Sequence, residues 1–127
     1  MIQTYFAQIK RIIDQYAATS FVLEARLNID MRPGDQGYLT STLTFVDGSK
    51  LHVSEYLDQT GESVDKLMYT YHYQDADNRL IFRYDNARHK PALASVEHKH
   101  LPTQIIPAPA PTLDEVLAEI ATTQGWV

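Results

Sequence analysis

An α+β domain, with an antiparallel sheet of about five strands and one helix at each end, is the fold class this 127-residue sequence predicts. Three observations carry it. Apolar residues recur at three- and four-residue steps near both ends. From Phe21 to Asp85 the period changes to two. Turn-forming clusters interrupt that stretch at hairpin spacing.

Ile2, Phe6, Ile9, Ile13 and Tyr16 form one stripe, with Tyr5 and Ile12 beside it, and predict a helix of about four turns. Phe21, Leu23, Ala25, Leu27, Ile29 and Met31 then alternate with Val22, Glu24, Arg26, Asn28, Asp30 and Arg32, as in a half-buried strand. Pro33 to Gly37 reads as a turn. The next strand sets Leu39, Leu43 and Phe45 against Thr40, Thr42 and Thr44. At Asp47-Gly48 a two-residue loop would pair Phe45 with Lys50. The odd loop Asp47-Gly48-Ser49, with a glycine bulge, pairs Phe45 with Leu51, Leu43 with Val53, Ser41 with Glu55 and Leu39 with Leu57. Glu55 then points to the apolar face.

Beyond the turn at Gly61, Leu67, Tyr69, Tyr71 and Tyr73 share one face. A four-residue loop, Asp75 to Asn78, pairs Gln74 with Arg79 and His72 with Ile81, and joins the tyrosines to Leu80, Phe82 and Tyr84. His72 shares the opposite face with Arg83 and Asp85. Residues 86–111 read as an irregular segment, first His-rich and basic, then Pro-rich. Thr112 and Glu115 make a capping box for a C-terminal helix with the stripe Leu113, Val116, Leu117 and Ile120. The inward set is expected to be 39, 43, 45, 51, 53, 67, 69, 71, 80 and 82, under the N-terminal helix. Length and pattern suit one domain over residues 1–127.

The absence of cysteine excludes disulfides, thiolate metal sites and a cysteine nucleophile, and fits a reducing compartment. No apolar run approaches the ~18 residues of a membrane span, and the N-terminus is not patterned as a signal peptide, so a cytoplasmic location is expected. The formal charge is −5, unlike a general nucleic-acid binder. Its distribution is uneven. Arg79 to Pro102 carries Arg79, Arg83, Arg88, Lys90 and Lys99 against Asp85 and Glu97, a net +3, against −8 for the rest. His89, His98 and His100 lie in the same segment. A basic, His-rich patch on an acidic body points to an anion site.

Those residue types suit RNA cleavage, in which the substrate supplies its own 2′-OH nucleophile. A base removes the hydroxyl proton, a cation stabilises the phosphorane-like charge, and an acid protonates the leaving 5′ oxygen. The candidate catalytic set is His72, Arg83, Asp85, His89, His98 and His100. In this reading Arg83 holds phosphate and Asp85 orients a histidine. Arg88, Lys90, Lys99 and Tyr84 are the candidate substrate contacts. No metal or cofactor is required. Each residue also has a plainer reading. Asp85-Asn86 can cap the turn after the fifth strand, the tyrosines can be core, and His52 can be a solvated residue of the Thr-rich face. Glu55 can be a buried carboxylate bonded to a tyrosine hydroxyl or to Ser41. Asp85, His89, His98 and His100 also have the types and spacing of divalent-metal ligands.

The blocks Phe45-x-Asp47-Gly48-Ser49-x-Leu51, Glu55-Tyr56, Tyr84-Asp85-Asn86-Ala87-x-His89 and His98-Lys99-His100 resemble the TumE family of bacterial toxin–antitoxin toxins, over nearly the whole chain. The family often has two adjacent histidines where this chain has His89-Lys90. The resemblance implies a small toxin encoded beside a helix-turn-helix antitoxin, and carries over no catalytic residue. The expected function is therefore the toxin of a type II system, acting on RNA as a metal-independent ribonuclease. The alternatives are a non-enzymatic module binding protein or RNA through the same loop, and a metal-dependent nuclease.

Overall fold

The computed structural model describes residues 2–87 and 96–127. The elements run α1 (Ile2–Ala17), β1 (Val22–Arg32), β2 (Gln36–Phe45), β3 (Lys50–Thr60), β4 (Ser63–Gln74), β5 (Leu80–Asp85), β6 (His98–Leu101), β7 (Gln104–Pro107) and α2 (Leu113–Thr123). The strands form one antiparallel meander in the order β1-β2-β3-β4-β5-β6-β7. Both helices lie on one face. Tyr5 of α1 reaches Glu55 of β3, and Glu119 of α2 holds Tyr84 of β5 and Lys99 of β6. The other face carries Thr40, Thr42, His52, Ser54, Thr70, His72 and Arg83, polar residues facing water as one-sided antiparallel sheets allow.

The helices form as their stripes dictate. Ile2, Phe6, Ile9 and Ile13 are buried on α1, and Leu113, Val116, Leu117, Ile120 and Ala121 on α2. The capping box at Thr112 and Glu115 is present in both directions. Gly37 lies in β2 rather than in the turn. It has no side chain because Phe6 sits against it: a Cβ there would come 2.5 Å from Phe6 Cζ. After α2 the chain turns back, Trp126 N donating to Ala121 O at 2.8 Å, and the indole packs on Phe21 and Phe45.

Two hairpins share one design. Gly48 N donates to Phe45 O and Phe45 N to Ser49 O, with Gly48 at φ +85. Asn78 N donates to Asp75 O and Asp75 N to Arg79 O, with Asn78 at φ +65. Each is a three-residue loop whose last residue is left-handed, a role open to glycine and asparagine. The first loop is thus Val46-Asp47-Gly48, one residue earlier than expected. It is still odd, so the faces hold and Leu51, Val53 and Glu55 are buried. The pairs shift by two: Leu43 faces Leu51, Ser41 faces Val53 and Leu39 faces Glu55. In the second hairpin a bulge follows Tyr73, so Gln74 faces Leu80 and His72 faces Arg83, not Ile81.

Two further bulges change which side chains are inside. One between Tyr56 and Leu57 sets Leu57 opposite Lys66 and leaves Leu67 as the extra residue of β4. Leu67 is therefore 46% exposed, against expectation, and Lys66 turns inward. The other, between Val22 and Glu24, leaves Leu23 exposed. Of the remaining expected inward residues, Leu80 is half-buried and the others are buried. Within the segment expected to be irregular, residues 98–101 and 104–107 are strands, which brings the sheet to seven strands among the described residues. Four-residue strands are too short to show alternation. Pro107 is tolerated as the last residue of an edge strand, where a missing N–H costs no ladder bond. Among the described residues, no helix is long and apolar enough to cross a membrane.

Candidate functional site on the open face of the sheet

Antiparallel register gathers the site from distant parts of the chain. His52 pairs with His72, His72 with Arg83, and Arg83 with His100, which makes one row across β3, β4, β5 and β6. The next row on the same face pairs Thr70 with Asp85 and Asp85 with His98. Residues in paired positions share a face with Cβ atoms roughly 4.5–5.5 Å apart. Five of the six candidate catalytic residues, His72, Arg83, Asp85, His98 and His100, therefore meet at one end of the open face.

Asp85 is the hub. It is 3% exposed, and His98 beside it is 1% exposed. Asp85 Oδ2 accepts from Arg83 Nε at 2.8 Å, and Oδ1 accepts from Ala87 N at 3.1 Å. His98 Nε2 lies 2.7 Å from Oδ1, and His100 Nε2 lies 3.5 Å from Oδ2. The two imidazoles touch, Nε2 to Nε2 at 3.0 Å. His98 Nδ1 donates to Val96 O at 2.7 Å, which fixes the ring with Nε2 turned to the carboxylate. Burial works to raise the Asp85 pKa. The bonds from Arg83 and Ala87 and the field of His98 and Arg83 outweigh it and hold the carboxyl below its ordinary range.

His72 stands at the rim. Arg83 Nη1 is 3.5 Å from its Nδ1, so that nitrogen is the acceptor and the proton sits on Nε2. Burial, then the nearby Arg83 and His52, lower the His72 pKa and keep the ring neutral at pH 7. His52 was expected to be simply solvated. It is exposed, but its ring is 6.3 Å from that of His72, so it extends the row. The β3–β4 register that places it there depends on the bulge at Tyr56, which no local pattern announces. Asn86 closes the end of β5 by bonding β4 twice, accepting from Tyr69 N at 3.1 Å and donating to Leu67 O at 2.9 Å.

Tyr84 and Lys99 do not join this cluster. They alternate with Arg83, Asp85, His98 and His100, and so project to the helical face. There Tyr84 Oη and Lys99 Nζ bond the two oxygens of Glu119 at 2.6 and 2.7 Å, and Lys99 lies 4.8 Å from the Tyr84 ring centre. They fasten α2 to the sheet. Arg88, His89 and Lys90, the other expected site residues, lie outside the described residues.

A second buried carboxylate occupies the helical face. Glu55 is fully buried and accepts from the hydroxyls of Tyr5 and Tyr71. Lys66 Nζ is 4.0 Å from it and donates to Tyr71 Oη at 2.6 Å and Pro111 O at 2.7 Å. Burial, then the charge of Glu55, push the Tyr5 and Tyr71 hydroxyls well above their ordinary range, so both stay protonated donors. The tyrosine-bonded reading of Glu55 holds; Ser41 bonds Arg26 O instead.

No curated protein and no solved structure matches the chain. The sequence model of the family described as Toxin TumE matches residues 9–124, a span that holds all seven strands, α2 and the whole Asp85 cluster. On that match the chain belongs to the TumE toxin family.

Proposed function

We propose that this toxin acts on RNA, as a metal-independent endoribonuclease of a type II system whose antitoxin is a helix-turn-helix protein. The observation that supports the reading most is the Arg83-centred row on the open face. Arg83 stands between His72 and His100. Those two strand positions are roughly 10 Å apart, two strand spacings, which lets two imidazoles flank one phosphodiester.

The chemistry follows from these groups. Arg83 is partly exposed and presents a planar fork to two phosphate oxygens, where charge grows in the transition state. As it turns from His72 to the phosphate, it releases Nδ1 of that neutral imidazole to take the 2′-OH proton. The 2′ oxygen attacks phosphorus and the 5′ oxygen leaves. His100, at the rim of the cluster, delivers the proton to that oxygen. Asp85 and His98 hold Arg83 and His100 in position, as a carboxylate orients a catalytic histidine elsewhere. The products are a 2′,3′-cyclic phosphate and a 5′-hydroxyl. The antitoxin neutralises the toxin by covering part of residues 83–100.

The test is incubation of the purified toxin with end-labelled RNA in EDTA. The reading expects internal cuts ending in cyclic phosphate, and loss of cutting in His72→Ala with an unchanged circular dichroism spectrum. RNA bound but left intact favours the non-enzymatic module. An intact RNA pool with no binding contradicts both.

A further inference from the structure

We infer that Asp85, His98 and His100 form a binding site for one divalent transition-metal ion of the zinc, cobalt or nickel class. The three side chains offer ligand atoms that all lie within 4.8 Å of one another. The closest separations are tighter: 2.7 Å from Asp85 Oδ1 to His98 Nε2, 3.0 Å between the two Nε2 atoms, and 3.5 Å from His100 Nε2 to Asp85 Oδ2. Ligands each about 2.0–2.2 Å from one zinc ion stand roughly 2.9–3.5 Å apart, the edges of its coordination polyhedron. Two of these separations fall in that range; the 2.7 Å contact must open by a few tenths of an ångström, and since the two rings meet different carboxylate oxygens, Asp85 binds through both or turns to present one.

Tautomer and outer bonds point the same way. His98 Nδ1 carries a proton committed to Val96 O, so Nε2 is the nitrogen turned to Asp85 and His100. There it meets a carboxylate oxygen at 2.7 Å and a second imidazole nitrogen at 3.0 Å. Three electron-rich atoms converging at this distance are reconciled by a positive centre among them, a shared proton or a metal ion. Outer bonds of the kind that orient metal ligands are already in place: Val96 O on His98, and Ala87 N and Arg83 Nε on Asp85. Two nitrogens and one carboxylate oxygen select borderline ions over magnesium or calcium, which favour all-oxygen sets. The adjacent Arg83 charge opposes any cation, which further disfavours ions held by charge alone.

The consequence for activity rests on the proposed function. An ion at this site takes the Nε2 lone pair of His100 and fixes the ring, so the histidine can no longer carry a proton to the leaving oxygen. Zinc then inhibits cleavage, and a chelator restores it.

The experiment titrates chelator-stripped toxin with cobalt chloride, read by visible absorption and by calorimetry. The expected result is one ion per chain, displaced by one equivalent of zinc and not by a hundredfold excess of magnesium. His98→Gln and His100→Gln should each weaken binding at least tenfold. His100 is partly exposed, so its variant keeps the fold if the His98 variant does not. Absence of binding, or equal binding by the wild type and the folded His100→Gln variant, overturns the site. Cleavage is assayed separately. Zinc inhibition supports the shared use of His100. Cobalt binding together with cleavage that needs the metal leaves the site standing and overturns the metal-independent mechanism.

Discussion

Among the described residues the sheet buries one carboxylate on each face, and the two are treated differently. Glu55, on the helical face, is enclosed by two tyrosine hydroxyls and a lysine that also binds the backbone ahead of α2. The two hydroxyls stay protonated, burial lowers the Lys66 pKa against the opposing charge of Glu55, and together these groups tie α1, β3, β4 and the approach to α2. Asp85, on the open face, is surrounded by one arginine and two histidines, with a third histidine at the rim. These groups can exchange protons or hold an anion, and three of them reach solvent. A carboxylate ringed by hydroxyls ties the fold; one ringed by imidazoles beside a partly exposed guanidinium has groups able to move protons around it. The comparison predicts that inner-face substitutions act on stability and outer-face substitutions on activity.

The largest expected effect on stability is at Glu55. Glu55→Ala leaves two buried tyrosine hydroxyls without their acceptor and Lys66 without its counter-charge. Breaking a buried pair in this way costs about 3–5 kcal/mol, and the urea midpoint should fall accordingly. Next is Gly37→Val, which drives a side chain into Phe6. Overpacking of this kind costs about 1–3 kcal/mol. If either variant unfolds at the wild-type midpoint, the inner face is not the structural one.

Arg83→Ala reverses the pattern. Asp85 keeps its bonds from Ala87 and His98, so the thermal midpoint should move by only a few degrees while RNA cleavage is lost. Tyr84→Phe sharpens the comparison from the other side. It removes one bond to Glu119, a loss of about 1 kcal/mol, and should leave RNA affinity and cleavage unchanged. A drop in RNA affinity at constant stability would restore Tyr84 to the substrate surface.

The smallest effect concerns pH. The folded state holds His72 below its ordinary pKa, so on acidification the unfolded chain takes up that proton first. The contribution of His72 is full above about pH 6.5, the unfolded value, and is lost as pH falls toward the depressed folded value. His72→Gln should flatten the stability curve in that window, measured by urea midpoints at stepped pH. An unchanged slope would mean that burial and Arg83 do not act on this ring.

Much of this arrangement could be read from residue order alone. Period and capping located both helices, since an amphipathic stripe and the Thr112–Glu115 pair are local signals. The odd loop at Gly48 was legible because parity decides whether Leu51 and Val53 are wet or dry. Its position was not, because both Gly48 and Ser49 could end an odd loop, and only a residue at positive φ resolves the choice. Bulges leave no such trace: Lys66 turns inward only because Tyr56 and Leu57 break register, which also completes the Glu55 cluster. The convergence of His72, Arg83 and Asp85 followed from alternation on adjacent strands. The spacing of His98 and His100 put them on one face if extended. Their pairing with Asp85 required β6, whose four residues are too few to declare a strand. The same missing strand explains why Lys99 was expected on substrate, since its direction is set by alternation with those histidines.

The central claim is that activity resides on the open face. Growth arrest on induction in a bacterial host tests it most directly, comparing Arg83→Ala/His100→Ala with Tyr84→Phe/Lys99→Ala at matched soluble protein levels. The account predicts that the open-face pair abolishes arrest and the helical-face pair retains it. Full arrest by the open-face pair, with arrest lost in a folded helical-face pair, would contradict it.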